Sequence, residues 1–147
     1  MDTSLLESIL DECRVEIQSN LERYGINASG RTSASLQVEN YFGGVRLVSR
    51  GENIAPFGTL EIGASPKAWA PTEKLKQWTI DKGLDFGSDK ERDDFVKSLQ
   101  WKIYHHGTER HRNPNYEVTT PPIKKAVEEI KKVIPNMIVK AFKHGND

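Results

Sequence analysis

Apolar side chains recur at steps of three and four along the start of the chain. Leu6, Ile9, Leu10, Cys13, Ile17, Leu21 and Tyr24 fall on one stripe, the pattern of an amphipathic helix. The stripe predicts a helix over 4–24. Ser4-Leu5-Leu6-Glu7 has capping-box spacing at its start, and Gly25 supplies the left-handed residue that ends it. A polar loop over 26–32 follows. Then Ala34, Leu36 and Val38 alternate with Ser35, Gln37 and Glu39, and alternation predicts a half-buried strand. Gly43-Gly44 predicts a two-residue hairpin turn, with 45–50 as the return strand. Thr59-Leu60-Glu61-Ile62 fits a third strand or a short helix equally, because four apolar-leaning residues carry too little periodicity to choose.

The second half reads as helical. Pro71 is placed for the first turn of a helix carrying Leu75, Trp78 and Ile80 and stopped by Gly83. Ser88-Asp89-Lys90-Glu91 is a second capping box, and its helix carries Phe95, Val96, Leu99 and Ile103 to an end near Gly107. A polar loop spans 107–119. Thr120 caps and Pro121 opens a last helix with the stripe Ile123, Ala126, Val127, Ile130, Ile134, Met137, Ile138, Ala141 and Phe142. The stripe keeps its phase through Pro135, which predicts one helix bent at the proline. The two long stripes each need a partner, so the C-terminal helix is expected on the N-terminal one across the sheet.

At 147 residues the chain suits a single domain over 1–147 with one core. An apolar fraction of 36% with 29% charged residues is polar for a globular protein, yet not the composition of a disordered one. No apolar run is long enough to cross a membrane, and the N-terminal residues lack the basic and small-residue features of a signal peptide. Cys13 is the single cysteine, which excludes an internal disulfide and a four-cysteine zinc site. Its place on the stripe, with no activating His or Lys beside it, reads as a buried structural thiol.

Candidate chemistry concentrates in Tyr104-His105-His106-Gly107-Thr108-Glu109-Arg110-His111-Arg112. Three histidines and a glutamate are metal-ligand types. Adjacent His105 and His106 diverge at a helix end, however, and no second ligand set stands at zinc-like spacing, so no metal is expected. The histidines also suit the negative end of the helix dipole. A loop contacting phosphate or a partner, and a solvated surface loop, both remain open for this stretch. Asp93-Asp94 and Glu128-Glu129 are adjacent pairs that point apart. No Gly-x-Ser-x-Gly, assembled triad or phosphate-binding glycine loop is present. Nothing here predicts an enzyme or a cofactor. Trp69, in a Pro- and Gly-punctuated loop, is either tucked against a helix or an interface anchor, whereas Trp78 on its helix reads as core.

Charge is balanced overall but split. Residues 1–73 hold six Lys and Arg against ten Asp and Glu, and residues 74–147 hold fifteen against eleven, so the halves carry −4 and +4. Residues 97–143 hold ten basic against four acidic residues, which makes a nucleic-acid-binding module acting through 97–143 the alternative reading.

The order of features resembles the head–tail joining, or tail-completion, proteins of tailed bacteriophages over about residues 4–142. The resemblance rests on Gly30-Arg31-Thr32-Ser33-Ala34-Ser35-Leu36, then Ile54-Ala55-Pro56-Phe57, Glu61-Ile62-Gly63, Trp78-Thr79-Ile80-Asp81-Lys82-Gly83 and Ile103-Tyr104-His105-His106-Gly107-Thr108. The chain departs from the family pattern at Ile54, where the family has an aromatic residue, and at Ala70-Pro71, where it has Pro-Pro. The resemblance implies an α+β subunit: a small antiparallel curved sheet flanked by N-terminal, central and C-terminal helices. It also implies a virion location and a homo-oligomeric ring, six- or twelve-fold, between portal or connector and tail proteins, with no catalytic residue to carry over. Open hairpin edges and opposite charge on the two halves suit such a ring. The 51–70 loop, with Phe57, Glu61 and Trp69, is then expected to contact a neighbour. Lys102, His105, His106, Arg110, His111 and Arg112 are expected to face a lumen through which DNA passes.

Overall fold

The computed structural model describes residues 3–26, 30–51 and 61–144, with side chains described as far as residue 137. In chain order come helix α1 (Ser4–Arg23), a single helical turn α2 (Arg31–Ala34), strands β1 (Leu36–Tyr41) and β2 (Gly44–Ser49), α3 (Thr72–Asp81), α4 (Asp89–His106), the turn α5 (Glu109–Arg112) and α6 (Thr120–His144). The fold is α+β, a two-stranded antiparallel sheet with flanking helices.

α1 is the middle layer. Ile9, Cys13, Ile17 and Leu21 from its stripe meet Leu36 of β1, Val118 just ahead of the C-terminal helix and Ala126 within it, with Leu47, Ile130 and Val133 packed against them. Ile17 and Leu21 are fully buried, and each contributes about 1.5–3 kcal/mol through the apolar surface it removes from water. The hairpin and α6 both pack on α1, so the two long helices meet with the sheet to one side rather than between them. α3 packs on α4 separately, burying Thr79 and Val96 and pairing Lys76 with Asp93 at 2.8 Å.

Local details differ from the sequence reading for identifiable reasons. α1 begins one residue early: Thr3 is the N-cap and its hydroxyl donates to the Glu7 carboxylate at 3.0 Å, because Glu7 is then one position too far along to reach the cap amide. Ala34 lies in α2, not in a strand. Gly30, at φ 78°, starts a turn closed by the Ala34 amide on the Gly30 carbonyl at 2.9 Å. The hairpin loop is Phe42-Gly43, since Tyr41 pairs with Gly44. Gly43 supplies the positive φ of 86°. At Gly44 a Cβ would fall 3.1 Å from the hydroxyl of the half-exposed Tyr41 side chain, which would have to give way slightly.

Glu61 and Ile62 are helical, and the rest of the ambiguous 59–62 stretch lies outside the described residues. Thr120 is the first residue of α6 rather than its cap, and the helix runs on through Pro135. Trp78 is 37% exposed and Ile80 53%, so neither is core; the inward position of α3 belongs to Thr79.

The Ser88 box is present with a shift. Ser88 Oγ accepts from the Glu91 amide at 3.2 Å, while the Glu91 carboxylate accepts from the Gly87 amide at 3.0 Å. Ser88→Ala is expected to cost about 1 kcal/mol, read as a lower denaturation midpoint at unchanged slope.

Candidate functional site

The C-terminus of α4 and the segment 61–68 build a joint between distant parts of the chain. α4 stops at Gly107, at φ 73°. Thr108 opens α5, its hydroxyl accepting from the His111 amide at 3.3 Å. Across from this turn, the Thr108 amide donates to the Ala64 carbonyl at 2.9 Å and the Ala64 amide donates to Thr108 Oγ1 at 2.9 Å. The Lys67 amide donates to the Tyr104 carbonyl at 2.7 Å and the Asn115 amide to the Glu61 carbonyl at 3.0 Å. The Lys67 bond satisfies one of the carbonyls that a helix C-terminus leaves unpaired. Two glycines allow the approach. A Cβ on Gly63 would fall 2.1 Å from Thr108 Oγ1, and one on Gly107 would fall 2.8 Å from the Ala64 carbonyl oxygen.

Glu61 locks the joint to the last helix. Its Oε1 accepts from the Thr119 and Thr120 amides, both at 2.8 Å, and its Oε2 accepts from the Thr120 hydroxyl at 2.9 Å. A carboxylate at a helix N-terminus satisfies free amides and faces the positive end of the dipole. Burial opposes ionisation of Glu61, but the hydrogen bonds from Thr119 and Thr120 outweigh it and hold the carboxyl below its ordinary range. Glu61 is 8% exposed and caps a helix of its own chain.

An exposed aromatic strip runs along the outside of α4. Trp69 stands edge-on to Tyr104 with centroids 6.1 Å apart. Tyr104 stands edge-on to His105 at 5.2 Å, and His105 lies 4.4 Å from Trp101. His106 meets the Trp101 edge at 5.9 Å. Trp69 and Trp101 remain 69% and 61% exposed. Trp69 touches Tyr104 of a helix while presenting most of its ring to solvent.

The remaining predicted cations gather at a cleft of about 600 Å³. Ile26, Leu75, Trp78, Leu99 and Ile103 provide its apolar lining, with Lys82, Lys102, Arg110 and Arg112 around it. Arg112 pairs with Glu109, and Lys82 Nζ donates to the Gly25 carbonyl at 2.7 Å. Burial lowers the pKa of the Arg110 guanidinium. His111 sits apart from this lining, its ring against Gly107.

Phe57 lies outside the described residues. Among the described residues no three His, Cys, Asp or Glu side chains are grouped to hold a metal ion. Burial, and next the charge of Glu16, push the Cys13 thiol up, against a smaller opposing effect of Lys125; a thiol so placed is a poor nucleophile at neutral pH.

The sequence pattern does not single out Trp101 or Phe42. Their signal was available in part. Trp101 falls off the apolar stripe of its helix, and a tryptophan on a polar face has no core role to explain it. Comparison of the chain with protein-family models, with curated proteins and with solved structures finds no match.

Proposed function

We propose that the chain is a structural virion protein of a tailed bacteriophage, a ring-forming subunit at the head–tail junction that joins portal or connector to tail. The observation that carries this reading is the joint. Glu61-Ile62-Gly63 and Gly107-Thr108 are two of the short motifs on which the family resemblance rests, and they lie against each other through paired backbone and side-chain hydrogen bonds. Each residue of the pair has a physical reason to be what it is: the glycines make room, the threonine bonds in both directions and the glutamate caps the next helix.

Exposed Trp69 and Trp101 supply what a neighbouring layer needs, since tryptophan is enriched among interface hot spots. In this reading the protein has no catalytic residue, cofactor or metal, and the strip with His105 and His106 faces portal or tail proteins. No helix among the described residues is long and apolar enough to cross a membrane.

Cryo-electron microscopy of virions tests the reading. The chain is expected as a six- or twelve-fold ring at the neck, with Trp69 at a contact; its absence from particles overturns the proposal. Trp69→Ala is expected to weaken incorporation by about 2 kcal/mol without changing the melting temperature of the isolated chain. The nucleic-acid reading draws on Lys102, Arg110 and Arg112 beside exposed rings, a pairing that suits single strands. Affinity for DNA falling steeply with salt, together with absence from particles, favours it instead.

A further inference from the structure

We propose that copies of this chain join head to tail, with the hairpin tip of one copy, Phe42 with Tyr41, seated in the apolar cleft of the next. The inference rests on the assembly reading above and names the contact that would make the assembly.

Phe42 is 103% exposed, a whole phenyl ring held in water at the end of a two-residue loop. Single exposed apolar residues are ordinary, but this one belongs to a shaped feature. Tyr41, also half exposed, packs on Gly44 and lies under the Arg46 guanidinium at 5.4 Å. Tyr41 at the tip is therefore held in place before any partner arrives, which lowers the entropy cost of docking. One flank is acidic, while Arg46 at the tip itself is paired with Glu39. Glu7 and Asp11 share a concavity with Val38 and Asn40, two residues before Phe42. Asp11 pairs with Arg14, whereas Glu7 has no cation partner among the described residues.

The cleft has the complementary character. Leu75, Trp78, Leu99 and Ile103 offer an apolar seat, and Lys82 and Lys102 put positive charge around it, while Arg112 is paired with Glu109, which also lines the cleft. Lys102 makes no ion pair among the described residues. A volume of about 600 Å³ falls in the range that holds a drug-sized molecule, room for two aromatic rings.

Position decides between contact within a copy and contact between copies. The acidic concavity lies at the N-terminal end of α1, and Gly25 and Ile26, just beyond its C-terminal end, line the cleft. A helix of 20 residues separates the two by about 30 Å. Tip and cleft cannot meet inside one copy. Two different surfaces at opposite ends make a heterologous contact, which closes into a ring when the rotation permits.

The test uses the full chain with Cys13 left in place, since it is buried. A mixture of Phe42→Cys and Trp78→Cys chains is expected to form a disulfide between the two variants on mild oxidation, and each alone is expected to form none. Phe42→Cys with Lys102→Cys provides a second pair at the cleft edge. Phe42→Ala, at a site with no folded-state contact to lose, is expected to raise the self-association constant for dissociation at least tenfold by sedimentation. Lys102→Glu is expected to weaken association, with partial recovery when mixed with Glu7→Lys.

Mixtures that cross-link no better than the single variants overturn the contact, as does Phe42→Ala assembling like wild type, which gives the cleft to another occupant. If the contact fails while the chain forms a ring in particles, the tip-to-cleft geometry is wrong and the neck reading stands. Cross-linking by a chain absent from particles has the reverse meaning.

Discussion

Glu61→Ala is expected to lower the unfolding free energy by about 3 kcal/mol, through groups it leaves behind rather than apolar area lost. The carboxylate accepts from two amides and one hydroxyl at the start of α6. Thr119 is 6% exposed, so water cannot replace Glu61 there. Charge-assisted hydrogen bonds contribute about 1.5–3 kcal/mol, and an orphaned buried donor costs a similar amount. Glu61→Gln keeps an acceptor oxygen but removes the charge, and is expected to cost about 1–2 kcal/mol.

The pH dependence separates charge from shape. Because the carboxyl is held below its ordinary range in the folded chain, its stabilisation is complete above the unfolded value of about 4.3 and is lost as pH falls through the lower folded value. Denaturant unfolding of wild type and Glu61→Gln at pH 7 and in steps below pH 4 measures this. The gap between them is expected to narrow on acidification, and a gap constant with pH removes the charge from the account.

Gly63→Ala is expected to cost about 3 kcal/mol from two additive causes. Gly63 has φ 63°, which costs an L-residue about 1–2 kcal/mol. The added methyl would also overlap Thr108 Oγ1 at 2.1 Å and crowd the His111 amide nitrogen at 2.8 Å, and overpacking costs about 1–3 kcal/mol more. Gly83→Ala isolates the first cause, because Gly83 has φ 65° with nothing within 4 Å of the new Cβ. Midpoints in urea at equal slope are expected to fall far more for Gly63→Ala than for Gly83→Ala. Equal losses at the two positions leave the joint no tighter than open solvent. Hydrogen exchange is expected to rise at the Ala64, Lys67 and Thr108 amides in the Gly63 variant alone.

Much of the architecture was legible. The α1 stripe identified Ile9, Cys13, Ile17 and Leu21, and all four are buried; a helix with one apolar face has a single economical way to turn it. The Ser88 box placed the start of α4 for the same kind of local reason, since cap and first turn lie within four residues. The hairpin was legible to within one residue. The slip came from two adjacent glycines, of which Gly43 takes the positive φ and Gly44 does not, and sequence does not say which of the two turns the chain.

The candidate site was legible as residue types more than as places. Lys102, Arg110 and Arg112 were read as one basic group, and they do share the lining of one cleft. His105 and His106 join an aromatic strip instead, while His111 lies against Gly107. Trp78 illustrates the reason. A helix 10 residues long that packs mainly on one other helix buries only part of its surface, and which part depends on where α4 lies.

The elements are written in the residues themselves: two long amphipathic helices, a hairpin, a shorter helical pair, and a charge split between halves. Those follow from periodicity, caps and turns, which are interactions within a few residues. Packing alone establishes that Glu61 caps a helix that starts 59 residues away, that Gly63 and Gly107 face each other's segments across one joint, and that the aromatic tip and the cleft stand at opposite ends of α1. These depend on contacts distant in sequence, where no local pattern records the partner and a glutamate that caps its own chain reads the same as one that meets another.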